Sequence, residues 1–369
     1  MDVMFAILSD EAEFNNIVGN ADMSIPDAMK KIDITGNGIL FIQNENRELE
    51  GCLTDGDIRR WLIKTGELSG KISNIINRSP EYLTEECEEE AIGFMVSKNL
   101  RAIPIVDESR RIIKVIFNRA VSNSDKKRND SLAFIPIVIM AGGRGSRLYP
   151  YTKVLPKPLI PICEYPIIEH IIHQFQNFGA RTFYVIVNYK KNMIRAYFAD
   201  LNHDYDLEII DETEELGTGG GLSLLRNRLC STFILSNCDI LIRDDFAKML
   251  DYHKNEKNKI TIISSLKKIT IPYGVIQTGD GGSVISMIEK PEIAYLTNTG
   301  CYIVEKEALS KVNDNEKIGF PEIIKRCKDS GFKVGAFPVS ENAWLDMGQL
   351  DTMEDMEKRL SKSFFEHTF

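Results

Sequence analysis

A short apolar run, Ile135-Pro-Ile-Val-Ile-Met140, passes directly into Ala141-Gly-Gly-Arg-Gly-Ser-Arg147, and this junction constrains the chain more than any other feature. The run has the length and β-branched content of a buried strand. Glycines at the end of such a strand let backbone N–H groups approach a phosphate. Tight-turn glycines are the plainer reading of the same pattern. Two familiar phosphate loops are excluded, because the lysine-serine end of a P-loop and the third glycine of a dinucleotide fingerprint are both absent. Pro150, Pro156, Pro158 and Pro161 follow, and they forbid the immediate long helix that both motifs require. They predict an extended segment, from which Lys157 aims one cation back toward the phosphates.

Beyond this junction the chain alternates. The spacing predicts a helix over Pro166–Phe178, with Pro near its first turn and Gly179 just past its end. Strands are expected at Thr182–Val187, Leu207–Ile210 and Thr232–Ser236, and helices at Lys190–Ala199 and Gly220–Leu229. This rhythm predicts an α/β fold with a mostly parallel sheet and helices on both faces. In such sheets ligands bind at the carboxyl ends of the strands.

A chain of 369 residues is long enough for two cores. The seam expected between them is Ser122–Ser131, which is polar and free of large apolar residues. Its trio Lys126, Lys127 and Arg128 reads as solvated linker, since a net charge of −9 argues against a nucleic-acid partner. Ahead of the seam lies a two-copy repeat. Ile39–Ile42 with Leu49–Thr54, and Ile103–Val106 with Ile112–Phe117 about 63 residues later, read as hairpins, with helical stretches at Ile25–Ile32 and Glu89–Lys98 before them. Two copies indicate a paired module rather than a solenoid. No apolar run is long enough to cross a bilayer, and the acidic start does not read as a signal peptide. The seven cysteines form no C-x-x-C pair, so a reducing cytoplasm is expected, without a zinc site or disulfide framework.

The long stretch Gly142-Gly-Arg-Gly-Ser-Arg-Leu-Tyr-Pro-Tyr-Thr-Lys-Val-Leu-Pro-Lys-Pro-Leu-Ile-Pro-Ile162 resembles the signature loop of sugar-phosphate nucleotidyltransferases. Leu216-Gly-Thr-Gly-Gly-Gly-Leu222, Asn237-Cys-Asp239, Tyr273-Gly-Val275, Glu289-Lys-Pro291, Asn298-Thr-Gly300 and Trp344-Leu-Asp346 resemble further motifs of that family, in its order. The resemblance implies a Rossmann-like nucleotidyltransferase domain with a mixed sheet over 132–369, and Mg²⁺ as cofactor. It implies catalytic roles for Arg147, Lys157, Asp239 and Lys290, and metal ligation by Asp239 and Asp346. Nucleotide binding would fall to Ala141, Gly142, Gly143, Gly145, Ser146, Glu212, Gly217 and Thr218. The sugar phosphate would meet Tyr273, Gly274, Glu289, Lys290, Asn298 and Thr299. Taken singly, Asp239 reads as a helix cap or surface acid, Asp346 as a turn residue and Lys290 as a solvated strand end. The chemistry fits the set: two anions must meet, and Mg²⁺ is held by one or two carboxylates plus phosphates. No covalent nucleophile is needed, since positioning and charge neutralisation suffice.

In this family the base reader lies about five positions before the first glycine of the second loop, which is Glu212 here, with Asp211 and Glu214 as alternates. An ionised carboxylate only accepts, and guanine presents two adjacent donors, so GTP is the expected donor nucleotide. The blander reading of this acidic run is a solvated loop. The architecture is also similar to guanylyltransferases of nonulosonic-acid pathways, which implies glucosamine-1-phosphate as acceptor, with mannose-1-phosphate and heptose-1-phosphate enzymes as near relatives.

In front, Leu49-Glu-Gly-Cys-Leu-Thr-Asp-Gly-Asp57 resembles the end of a CBS motif, so 1–121 reads as a smaller α+β CBS pair and 122–131 as linker. The resemblance implies AMP, ADP or ATP at Thr54 and Asp57. The second copy departs from the pattern at Phe117 and Ala120, and a purely structural pair is the alternative. A homo-oligomer is expected. A different class of function is a nucleotide-sensing protein whose transferase domain binds without reacting. His170, His173 and Cys238 are expected to be packing residues.

Overall fold

The computed structural model describes residues 5–8, 15–67, 70–98, 100–118 and 130–365. They form two compact units, Met1–Lys127 with Leu266–Leu296, and Arg128–Ser265 with Thr297–Phe369.

The repeat of the first unit is present in its backbone. Strand β1 (Phe5–Leu8) is followed by β2 (Val18–Gly19), β3 (Ile39–Gln43) and β4 (Leu49–Thr54), then β5 (Leu83–Thr84), β6 (Ala102–Val106) and β7 (Ile112–Asn118). β2 pairs in parallel with β3, and β3 antiparallel with β4; β5, β6 and β7 repeat that pattern. Both hairpins carry a register shift at the same place, Ile42/Gln43 and Ile105/Val106. Both turns are closed alike. The Asn44 side chain accepts from the N–H groups of Asn46 and Glu48, and Asp107 accepts from those of Ser109 and Arg111. Each turn ends on an arginine with positive φ, Arg47 at 65° and Arg110 at 60°. Phe41, Leu49 and Cys52 of the first copy share a core with Val106, Val115 and Phe117 of the second. Helices cover Ile25–Thr35, Asp55–Thr65 and Ala91–Lys98. The seam residues 122–129, with the basic trio, and Ala120 lie outside the described residues. Leu266–Leu296 contributes an antiparallel hairpin, Val275–Thr278 with Val284–Ile288.

The second unit is built on a seven-stranded sheet. From one edge its strands run Asp206–Asp211, Thr182–Val187, Ile137–Ala141, Phe233–Asn237, Glu292–Val304, Ile260–Thr270 and Val334–Val339. The first four are mutually parallel, and Glu292–Val304 enters antiparallel, so the sheet is mixed and mostly parallel. Every residue of Ile137–Ala141 is buried, because successive side chains enter cores on opposite faces. Ile137, Ile139 and Ala141 pack with the helix Ile167–Gln176 and with Phe246 of the helix Phe246–Asn255. Val138 and Met140 pack with Leu222, Leu225 and the helix Phe320–Asp329.

Two local expectations are corrected. The helix expected over Gly220–Leu229 is absent: one α turn covers Gly217–Gly220 and a 3-10 turn Gly221–Leu225, and the first is held from outside by the Ile318 carbonyl, which accepts from the N–H groups of Gly219 and Gly220. The proline-rich segment is not extended throughout. Tyr151–Val154 forms one helical turn, and Lys157 opens a 3-10 turn with Pro158 inside it.

Candidate active site

The four parallel strands aim their carboxyl ends at one edge of the sheet. The Gly-rich loop leaves Ala141 there, Glu212 follows Asp211, and Cys238-Asp239 follows Asn237. Glycine has separate reasons along the loop. Gly145 holds φ 63°, and a Cβ there would lie 2.9 Å from Thr152 Cγ2 and 3.2 Å from Lys157 Cβ. The loop therefore packs onto the Lys157 stem, and Ser146 and Arg147 follow in a 3-10 turn. Gly143 differs: a Cβ there would meet nothing within 4 Å, so packing places no demand for glycine.

Lys157, only 8% exposed, is ion-paired with Asp239. Asp346 is drawn to the same place by a two-stranded pairing of Ile240–Ile242 with Trp344–Asp346, in which Ile240 lies opposite Asp346. The Met347 N–H donates to the Asp239 carbonyl at 2.8 Å, and the Gly348 N–H donates to Asp346 Oδ1 at 2.8 Å. Burial first, and then the neighbouring Asp239 charge, pushes the Asp346 carboxyl up, while Lys157 and Arg147 partly offset them. Arg147, Lys157, Asp239 and Asp346 are thus brought together. Cys238 is buried beside them, as its packing role predicts.

Glu212 is buried, 4% exposed, rather than solvated. Its N–H donates to the Val187 carbonyl at 2.8 Å, and its own carbonyl accepts from Asn188 Nδ2 at 3.1 Å. The Leu216 N–H donates to the carboxyl group, but Oε1 has no hydrogen-bond partner. Burial pushes this carboxyl up to about 7. The alternate Asp211 is ion-paired with Lys191 and Arg195, and those bonds hold it below the usual carboxylate range.

Gly217, at φ 79°, packs so closely on Ile318 that a Cβ would lie 2.7 Å from its carbonyl oxygen. Thr218 Oγ1 accepts from the Phe320 N–H at 3.1 Å. Asn298 holds the turn after it by accepting from the Gly300 N–H, and it donates to the Tyr302 hydroxyl. The Thr299 hydroxyl is buried and donates to the Ile263 carbonyl at 2.7 Å. In the other unit, Tyr273 and Gly274 face Glu289 and Lys290 across the base of the hairpin: the Lys290 N–H donates to the Tyr273 carbonyl at 3.2 Å, and a Cβ on Gly274 would lie 2.8 Å from Glu289 Oε2. Thr54 and Asp57 form a capping box on Asp55–Thr65, Asp57 accepting from the Thr54 N–H and hydroxyl. His170 and His173 meet Tyr165 edge-on, and His170 bonds the Ile162 carbonyl.

Sequence reasoning overlooked Gly221 and Arg144. Arg144 forms an ion pair with Glu215, which ties the first loop to the segment before the second. Gly221, placed within the Leu216–Leu222 loop motif and an expected helix but given no role of its own, packs on the Glu212 carboxylate. The signal was a third glycine in succession where a helix was expected.

Residues 137–363 match the family described as Nucleotidyl transferase, more than half of the chain. The chain is 27% identical over 227 residues to "Mannose-1-phosphate guanylyltransferase" of Mycobacterium tuberculosis, covering 58% of this chain and 61% of that protein. It is 34% identical over 171 residues to "Bifunctional protein GlmU" of Methanococcus maripaludis, covering 45% of this chain and 39% of that one. The match thus spans less than two thirds of either relative. The crystal structure of HddC from Yersinia pseudotuberculosis superimposes with a TM-score of 0.49 at 22% identity, over 61% of this chain and 99% of that one. Among the described residues no helix is long and apolar enough to cross a membrane.

Proposed function

This chain belongs to the nucleotidyl transferase family, and we propose that it joins a nucleoside triphosphate to a sugar-1-phosphate, with GTP as donor. The observation that carries the reading is the convergence of Lys157, Asp239, Asp346 and Arg147 beside a Gly-rich loop at the strand ends. A phosphate oxygen of the sugar-1-phosphate attacks the α-phosphorus of the triphosphate. The new P–O bond forms as the α–β bridging bond breaks, and pyrophosphate leaves with the electron pair. Gly143 N–H is free to approach the phosphates at close range, since no side chain stands there. Lys157 holds the reacting phosphate, and Arg147 neutralises the departing one.

The donor set fits a Mg²⁺ ion. Asp239 and Asp346 would hold such an ion with two carboxylates, Asp346 lying opposite Ile240 in the strand pairing. Phosphate oxygens would complete such a site. The ion would offset negative charge on the phosphates. Glu212 selects the base: its acceptor oxygens suit the N1–H and 2-amino donors of guanine. That carboxylate is buried between the loops carrying Gly142 and Gly221. Tyr273, Gly274, Glu289 and Lys290, with Asn298 and Thr299, are assigned to the sugar phosphate, with glucosamine-1-phosphate the favoured acceptor. Mannose-1-phosphate, the substrate in the name of one relative, is the competing acceptor.

Pyrophosphate release from a panel of four NTPs against glucosamine-, mannose- and heptose-1-phosphate tests the reading. GTP is expected to give the largest kcat/KM. Release from no pair would overturn the transferase and leave a nucleotide-sensing protein.

The front unit, residues 1–121, is read as a CBS pair binding an adenine nucleotide at Thr54 and Asp57. Calorimetry with AMP, ADP and ATP is expected to show saturable binding to the full chain, lost in Asp57→Ala. Absence of heat with all three would make the Thr54–Asp57 pair a helix cap and nothing more.

A further inference from the structure

We propose that Lys190 is a positioning residue of the donor site: its ammonium group clamps the helical turn Tyr151–Val154 and so holds the Gly-rich loop and Lys157 in the form that receives the triphosphate. The proposal rests on the reading of that loop as the cradle of the triphosphate.

The strand Thr182–Val187 runs parallel to Ile137–Ala141, with Val187 opposite Ala141, so the two lead out of the sheet side by side. Asn188-Tyr189-Lys190 follows the first and the Gly-rich loop the second. Tyr189 touches the second segment at both ends. Its N–H donates to the Gly142 carbonyl and its hydroxyl to the Thr152 carbonyl, each at 3.3 Å. Lys190 Nζ donates to the Lys153 carbonyl at 2.5 Å and to the Val154 carbonyl at 2.7 Å, and it lies 5.4 Å from the centre of the Tyr189 ring. These are the last carbonyls of the turn, which a helix leaves without internal partners, and a cation is the favoured group there.

The turn's own packing is slight. Tyr151 and Val154 are exposed, and only Thr152 is buried. Thr152 Cγ2 and the Lys157 stem are the two groups that press on Gly145. The turn is thereby tied to the loop on one side and to Lys157 on the other, and Lys190 fixes it from outside.

Local structure gives no reason for lysine at this position. Lys190 has φ 51° and ψ 33°, the left-handed region where glycine is the easy residue. It stands at the N-cap of the helix Lys191–Asp200, but its side chain makes no cap bond, and a cation there opposes the helix dipole. What its side chain gains is the pair of carbonyls in the turn.

The test is steady-state kinetics of full-length Lys190→Met and Lys190→Gly, varying GTP and the sugar-1-phosphate in turn, with thermal melting alongside. In both variants the KM for GTP is expected to rise ~10-fold, the loss of about one charge-assisted hydrogen bond. The kcat should change little, because bound triphosphate orders the loop again and the cost falls on binding. The KM for the sugar phosphate should stay as it was. Lys190→Arg, which keeps a cation and its donors, should restore most of the GTP affinity. Lys190→Gly relieves the left-handed backbone, so it should melt close to the unmodified protein and carries the test if Lys190→Met does not fold. An unchanged KM for GTP in a folded variant overturns the clamp, and so does an equal rise for both substrates, the mark of general damage. Normal GTP kinetics in Lys157→Met would instead overturn the cradle reading beneath it.

Discussion

Asp346→Asn is expected to lower turnover by at least ~100-fold while leaving the ligand-free protein as stable as before, or more so. The size is that of losing one electrostatic partner of a transition state. Asparagine keeps the shape and removes one anionic ligand. The stability sign follows from the surroundings. Burial and the Asp239 charge push the Asp346 carboxyl up, so its ionised form is disfavoured in the folded chain. That contribution to stability is fully present below the unfolded carboxylate value and is lost as pH rises through the raised one. At pH 7–8 an uncharged asparagine escapes the penalty. Asp239→Asn differs. It should lose turnover to the same extent, but it also strips the partner from Lys157, a nearly buried cation, and should melt earlier. Pyrophosphate release at saturating Mg²⁺, with melting curves for both variants, checks the pair. Near-normal turnover in both variants removes the metal assignment.

What the sequence disclosed depended on the range of the forces involved. Thr182–Val187 was legible to the residue, because a short β-branched and aromatic apolar run between polar flanks marks a strand locally. The front repeat was legible for the same reason, since turn chemistry at Asn44 and Asp107 is a matter of neighbours. The single turn at Gly217–Gly220 was not, because it is fixed by Ile318 and Phe320, about a hundred residues away in the chain. At the site, residue types were legible and their company was not. Asp239 and Asp346 could be named from motifs, yet their adjacency comes from the pairing of Ile240–Ile242 with Trp344–Asp346. Periodicity cannot show that a carboxylate is buried with one oxygen unpartnered. Glu212 sits in an acidic run whose ordinary fate is solvent, and only the two packed loops place it inside.

The second large effect is expected from Glu212→Gln. Two charge-assisted hydrogen bonds to guanine contribute about 1.5–3 kcal/mol each. Losing one of them, and the charge assistance of the other, would lower kcat/KM for GTP by roughly 10²–10³, at about 1.4 kcal/mol per tenfold. Glutamine keeps the length of the side chain but replaces one acceptor with an NH₂ donor, which suits the carbonyl-flanked N–H of uracil, so UTP should gain relative to GTP. A pH signature separates this from general damage. Burial raises the carboxyl to about 7, so it is largely protonated in mildly acid solution and offers a donor where guanine needs an acceptor. GTP affinity should therefore rise with pH through about 7 in the unmodified protein, and the slope should vanish in Glu212→Gln. Stability of the ligand-free protein should run the other way. The raised value means that the folded state holds this proton more tightly than the unfolded chain does, so stability falls as pH rises toward 7. Glutamine removes that part of the fall. Calorimetric GTP titrations and melting curves from pH 5.5 to pH 8.5, run on both proteins, decide the matter. A GTP affinity that is flat across this range in the unmodified protein, or one that glutamine leaves unchanged, would mean that Glu212 does not read the base.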